Sequence, residues 1–297
     1  MSLALRSIWL IFALLLLAPR GVAAQTGAEP APFLSLSIAP VDHIFAELEA
    51  ISAALGMPGG TKELRDQTVA ALGIDPAKPA GLWISAPKEA PEQLAAVFFA
   101  SVSDPKVFES TLSRIGYFPA AEQNGVKQYS AGFPGFLPPL HGKLIGSTFF
   151  LADQPVALDR LPHDPVAVLG DLPTKYLVAF RMQTKDVSPA TVAVITQAME
   201  KAEGATGGPA IDVVQQNIAK FKLAMTEIHE ATYGLRVDAP TRSIRGEMDF
   251  SFTPGSVLAK RLAELKDSKS QVAGVLAMGN AAQIRQFGLL SPKEIQL

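Results

Sequence analysis

The chain has 297 residues with 26 basic and 28 acidic side chains, a formal net charge of −2, and no cysteine. No basic footprint is present to neutralise phosphates, so no nucleic-acid partner is expected; without cysteine, disulfides, thiol nucleophiles and a lipidated N-terminal cysteine are excluded. Apolar residues make up 48% and charged residues 18%, against roughly 25% charged in typical domains, so a well-filled globular chain is expected.

The N-terminus reads first. Arg6, the apolar run Ile8 to Ala18, and the small residues Val22-Ala23-Ala24 form a secretory signal peptide over 1–24, cut after Ala24. The run would rise only about 16 Å as a helix, half of a bilayer core, so membrane contact is expected only through the leader before cleavage. The mature chain is then periplasmic or extracellular.

A first α+β unit is expected over 25–168. Phe33 to Ile38 alternates as a strand, and Asp42 caps a helix carrying Ile44, Phe45, Leu48, Ile51 and Leu55 on one stripe. A second helix spans Thr61 to Leu72, with Gly73 as its stop. Strands follow at Gly81–Ala86 and Val97–Ala100. Asp104-Pro105 then opens a helix bearing Val107, Phe108 and Leu112, because an Asp oxygen accepts from free helix N–H groups and a proline at the first position loses nothing. A hairpin of Val126–Ser130 and Lys143–Ala152 precedes a Pro- and Asp-rich linker, Leu161 to Pro165.

The same grammar returns over 169–274. Tyr176–Phe180 is a strand; Ser188-Pro189 caps a helix with Val192, Ile195 and Met199; a longer helix carries Ile211, Val214, Ile218, Phe221 and Met225. Gly234–Ala239 matches Gly81–Ala86, and Met248, Phe250 and Phe252 alternate with Asp249 and Ser251 before Thr253-Pro254, read as cap and first helical turn. The expected fold class is therefore α+β: a strand-helix-helix-strand-strand-helix unit occurring twice, its antiparallel sheet covered by helices on one face. Residues 275–297 echo the entry into the second unit and read as the start of a third.

Gly170-Asp171-Leu172-Pro173-Thr174-Lys175-Tyr176-Leu177-Val178-Ala179-Phe180 and Gly73-Ile74-Asp75-Pro76-Ala77-Lys78-Pro79 resemble segments of exported bacterial proteins of unknown function, of the planctomycete type. The resemblance covers most of the mature chain and implies an exported compartment, but no activity.

Catalytic patterns are sparse. Ile228-His229-Glu230-Ala231-Thr232-Tyr233 has a tyrosine where a helical zinc motif needs its second histidine, so no metal or cofactor is expected. Asp42-His43 reads as a cap followed by a surface histidine, and His163-Asp164-Pro165 as turn chemistry. No catalytic residue is assigned. The one segment that stands out is the Pro- and Gly-rich loop 131–142, which carries Phe133, Phe136, Leu137, Leu140 and His141. Either it folds back over the core, or those residues contact a protein partner or an apolar ligand. The expected function is a non-catalytic binding or envelope-structural module. Two alternatives stand: a carrier of lipid or other apolar cargo, and a hydrolase gathering two or more of His43, His141, His163 and His229 beside a carboxylate or serine.

Overall fold

The computed structural model describes residues 32–54, 59–86, 94–131, 139–185, 187–205, 211–238 and 243–264. The leader over 1–24, Leu55 and the segment 275–297 lie outside the described residues.

The first half runs β1 (Pro32–Ile38), α1 (Val41–Ala54), α2 (Thr61–Leu72), β2 (Ala80–Ser85), β3 (Ala95–Ser101) and α3 (Pro105–Arg114). Four further strands follow: β4 (Tyr117–Gln123), β5 (Val126–Ala131), β6 (Leu140–Ile145) and β7 (Thr148–Ala152). The Lys143–Ala152 arm expected to pair with Val126–Ser130 is thus two strands turned at Gly146, of which β6 pairs with β5. After two 3₁₀ turns, Pro155–Asp159 and Ala167–Leu169, comes a one-turn helix, α4 (Leu172–Lys175). The rest is β8 (Val178–Gln183), α5 (Pro189–Ala205), α6 (Ile211–Glu227), β9 (Ile228–Asp238), β10 (Ser243–Phe252) and α7 (Val257–Glu264). The ten strands form one sheet in the order β10-β9-β8-β1-β2-β3-β7-β6-β5-β4. Every neighbouring pair is antiparallel. The chain is α+β, and because β1 pairs with β8, the two sequence units share that sheet.

A row of residues crosses the sheet at its centre. Ser37 on β1 faces Ala179 on β8; outward on one side lie Gly81 and Phe99, and on the other Gly234 and Glu247. Both glycines are there for space. A Cβ on Gly81 would come within 2.8 Å of the Leu169 and Phe99 side chains, and one on Gly234 would run into the Tyr176 ring.

Strand alternation divides the core between two faces. On one face Ala100, Tyr129, Phe149 and Leu151 meet Phe108 and Leu112 of α3, and Leu34, Ile84 and Phe180 meet Ile195 of α5. Burying Phe108 or Leu112 stabilises by about 1.5–3 kcal/mol each. On the other face Trp83, Val97, Phe99, Phe150 and Ala152 are roofed by Leu158 and Leu169, and farther along Ala179 lies under Leu172 and Tyr176. Helices α3 and α5 thus lie on one face as expected, but the other face is covered too, by residues on either side of the Leu161–Pro165 stretch read as a linker, with Leu161 itself packed against them. Prolines and aspartates here break the chain into turns, with the Asp164 carboxylate accepting from the Val166 N–H at 2.9 Å, while the leucines between them point inward.

Helix ends test the sequence reading residue by residue. Asp104 caps α3, its carboxylate accepting from the N–H groups of Lys106 (2.9 Å) and Val107 (3.2 Å). Ser188 caps α5 through Thr191 (3.0 Å). Gly73 ends α2 in the left-handed region at φ 66°, where a Cβ would also lie 2.6 Å from the Asp104 carbonyl oxygen of α3's first turn. Two expected caps are corrected. Asp42 lies within the first turn of α1, its carboxylate held by Arg65 of α2 at 2.6 Å. Thr253 does not open α7: Thr253 to Ser256 form a turn, closed by the Ser256 N–H on the Thr253 carbonyl (3.0 Å), with Gly255 at φ 79°. That left-handed residue cannot sit in a helix, so α7 begins three residues later, and Ser256 caps it through the Ala259 N–H at 3.1 Å. Tyr176 likewise falls outside β8, at the end of α4.

Candidate functional site

His43, His141 and His229 are dispersed. His43 on α1 pairs with Glu47 one turn on, at 3.6 Å. It follows the end of β1 where β8 begins, whereas His229 sits where β8 ends, so the two occupy opposite ends of that strand pair. His229 and Glu230 belong to strand β9, not to a helix. His141 on β6 is six strand steps from β9, about 29 Å at 4.8 Å per step. Burial lowers the His141 pKa. His163 is exposed in the stretch between Leu158 and Leu169, which covers the sheet face that carries His141 beside Ala152. Among the described residues, no group of three or more His, Asp or Glu side chains is placed to hold a metal ion, and no helix is long and apolar enough to cross a membrane.

Of the loop residues singled out above, Phe133, Phe136 and Leu137 lie outside the described residues. Leu140 and His141 are the first two residues of β6: Leu140 faces Tyr129 and packs on the α3 side, while His141 lies between Gln128 and Ala152.

At the other end of β5 and β6, about 13 Å along from Leu140, a recess of about 220 Å³ opens beneath α3. Lys106, Glu109, Glu122, Lys127, Leu144 and Phe149 are among its lining residues. The Lys127 ammonium is 2.5 Å from one Glu109 oxygen, and the Tyr129 hydroxyl donates to the same oxygen at 3.3 Å. Burial, then the Glu109 charge, raises the Tyr129 pKa, so the phenol stays a donor. With its carboxylate held by two donors, this is a strut joining α3 to the sheet, and its volume falls below the 300–1,000 Å³ usual for small-molecule sites.

The second half presents a different kind of surface. Ile244, Met248 and Phe250 project from one face of β10 and are 54%, 57% and 46% exposed. Leu223 on α6 and Val257 on α7 are exposed to a similar degree. The Phe250 and Phe252 rings stack with centroids 6.3 Å apart. The reverse face of β8–β10 is a lattice of ion pairs: Arg236 with Glu247 (2.6 Å), Arg245 with Asp238 (2.5 Å) and Arg181 with Asp171 (2.5 Å). Alternation in the sequence locates this strand, but the pattern is the same whether or not anything covers the apolar side.

No protein-family model matches the chain, and no curated protein does. Among solved structures, TP0453 in crystal form IV is 10% identical, aligned over 54% of this chain and 66% of that one, with a TM-score of 0.27. Crystal form III of the same protein is 12% identical over 54% and 65%, with a TM-score of 0.26. The chain spans just under two thirds of that protein, and a likeness at this level carries neither fold nor role to it.

Proposed function

We propose that this chain is a non-catalytic binding protein of an exported compartment, built from two copies of one strand-helix-helix-strand-strand-helix unit, and that it docks its partner on the apolar side of β10. The observation that carries the docking surface is the exposure of Ile244, Met248 and Phe250 together on one face of a strand at the sheet's edge. Contiguous apolar surface of this kind marks interaction sites, and covering each side chain contributes up to about 1.5–3 kcal/mol. Export is supported by the leader over 1–24 and by the resemblance drawn on 73–79 and 170–180. Duplication is supported by the repeated element order and by the central row, in which Ser37 and Ala179 stand side by side and each is flanked by a glycine lying under a large buried side chain. The hydrolase reading draws no support from His43 and His229, which lie at opposite ends of one strand pair, nor from His229 and His141, which lie six strand steps apart. The carrier reading gains little from the first half, where Phe99, Phe149 and Phe150 are packed into ring contacts.

The test is native mass spectrometry of the mature protein recovered from its own cells, beside a variant carrying Ile244→Glu, Met248→Glu and Phe250→Glu. A bound species retained by the wild type and lost by the variant is the expected result; equal recovery from both refutes this docking surface. A lipid as the bound species would select the carrier alternative.

A further inference from the structure

The two edges of the sheet are built differently. β4 is a poor template for another strand: all but Tyr117 of its residues are exposed, Pro119 lacks an N–H, and its register slips between Pro119 and Ala121. β10 carries no proline and no lysine, and its register with β9 is regular from Ser243 to Ser251. We infer that β10 pairs antiparallel with β10 of a second copy of this chain, about a two-fold axis through Gly246. The inference rests on the reading of β10 as a docking surface and names the partner.

The residue order selects the axis. With both apolar faces on the same side of the joined sheet, the axis must pass through a pair of identical residues. At Glu247 it would pair Arg245 with Asp249 and Ile244 with Phe250 but set glutamate against glutamate on the axis itself, and at Arg245 it would set arginine against arginine. At Gly246 it sets Ile244 opposite Met248 of the second copy and Arg245 opposite Glu247 of the second copy, each twice by symmetry, so apolar meets apolar and charge meets opposite charge. The existing ion pairs then extend across the seam as an alternating ladder: Asp238, Arg245, then Glu247 and Arg236 of the second copy. Gly246 lets the strands meet without a side chain on the axis. It also leaves room for one, since a Cβ built there finds its nearest neighbour, the Tyr233 hydroxyl oxygen, 3.5 Å away.

Because the chain has no cysteine, one substitution makes a sole thiol. Facing Cα atoms in an antiparallel pair are about 4.5–5.5 Å apart, inside disulfide range. In the full mature chain under mild oxidation, Gly246→Cys is expected to cross-link to a dimer. Ser251→Cys, whose counterpart would be about 33 Å away, should stay monomeric. Sedimentation equilibrium supplies a second measurement. Arg245→Glu and Glu247→Arg should each weaken the dimer about tenfold, and combining them should restore it. That rescue reports the contact between copies, because in the double variant Asp238 and Arg236 face like charges within each chain. A wild type that stays monomeric, or a Gly246→Cys variant that links no more than Ser251→Cys, overturns the proposal and leaves residues 265–297 or another protein as occupant. If cross-linking fails while the triple glutamate variant still loses its bound species, only self-pairing falls; if the triple variant keeps that species, the docking surface falls as well.

Discussion

Gly234→Ala is the sharpest test of how the sheet is packed. Tyr176 is 1% exposed and lies flat across Gly234, pinned by its N–H to the Leu172 carbonyl at 2.9 Å and by its hydroxyl to Asp249 at 3.3 Å, with the Lys175 ammonium 4.9 Å from the ring centroid. A methyl group at 234 would overlap the ring, so either β8 and β9 shift or the ring is expelled. Overpacking costs about 1–3 kcal/mol, and losing a buried aromatic's packing costs about 3–5, so a loss of about 2–4 kcal/mol is expected. Gly246→Ala is the matched control. It lies in the neighbouring strand with room for a Cβ, and alanine there should be neutral or stabilising by up to about 1 kcal/mol, because it restricts the unfolded chain. Urea unfolding of both variants at low protein concentration separates the two cases, with the midpoint of Gly234→Ala well below wild type and an unchanged slope. Equal midpoints, or a Gly234→Ala protein as stable as Gly246→Ala, would refute the claim that the Tyr176 ring requires glycine beneath it.

The helix caps give a second comparison: Asp104→Ala and Ser256→Ala should each lower stability by about 1 kcal/mol in chemical denaturation, while Thr253→Ala changes it by less than about 0.5. For Tyr129, burial and the Glu109 charge hold the folded pKa above the unfolded value near 10, so this stabilisation is complete below pH 10 and drains away above it. Tyr129→Phe should therefore flatten the alkaline loss of stability; Tyr117 and Tyr176, also raised by burial, keep part of the slope. His141 has the opposite sign. Its depressed folded pKa gives stability that is present above pH 6.5 and lost as the pH falls below it, so a proton-resonance titration should find its midpoint under 6.5, and His141→Gln should remove that acid slope.

Much of the element order was legible because the signals are local. Val97 to Ala100 alternates, Asp104-Pro105 offers both cap and first turn, and Gly73 closes the preceding helix; each depends only on neighbouring residues. Three features were not legible, each for its own reason. β4 went unread because an edge strand exposed on nearly every residue has no apolar alternation, and Pro119 argues against a strand. The stretch from Leu161 to Pro165 read as a linker because it is rich in turn-forming residues, yet Leu161 packs against the cluster that Leu158 and Leu169, on either side of it, roof. At 253–256 the letters allow two caps three residues apart, and only the left-handed conformation of Gly255 decides between them. The candidate site was less legible still. Sequence points to the loop with most large apolar letters, but exposure depends on what packs against a strand, which the strand's own letters do not show.

The bare side of β10 follows from where the chain spends its strands. If the two halves are copies, β10 stands where β3 stands. β3's outer edge is taken by β7, with Phe99 facing Phe150 and Ala100 facing Phe149, and α3 then lays Phe108 and Leu112 over that seam. Among the described residues nothing comparable follows β10. The turn at Thr253 to Ser256 delays α7, and the junction of α6 with β9 holds the helix start at the strand's far end: the Glu227 carboxylate accepts from the Leu258 N–H at 2.8 Å, and its carbonyl from the Thr253 N–H at 2.8 Å. Phe252 and its end of the strand are thereby anchored, while Ile244 to Phe250 keep an open side. In the first half a strand of the same chain fills the place beside β3. In the second half no strand among the described residues takes the equivalent place, and a strand with the residue order of β10 is complementary to it about Gly246, where Arg245 meets Glu247 and Ile244 meets Met248 with no like charges on the axis, as there would be at Arg245 or Glu247.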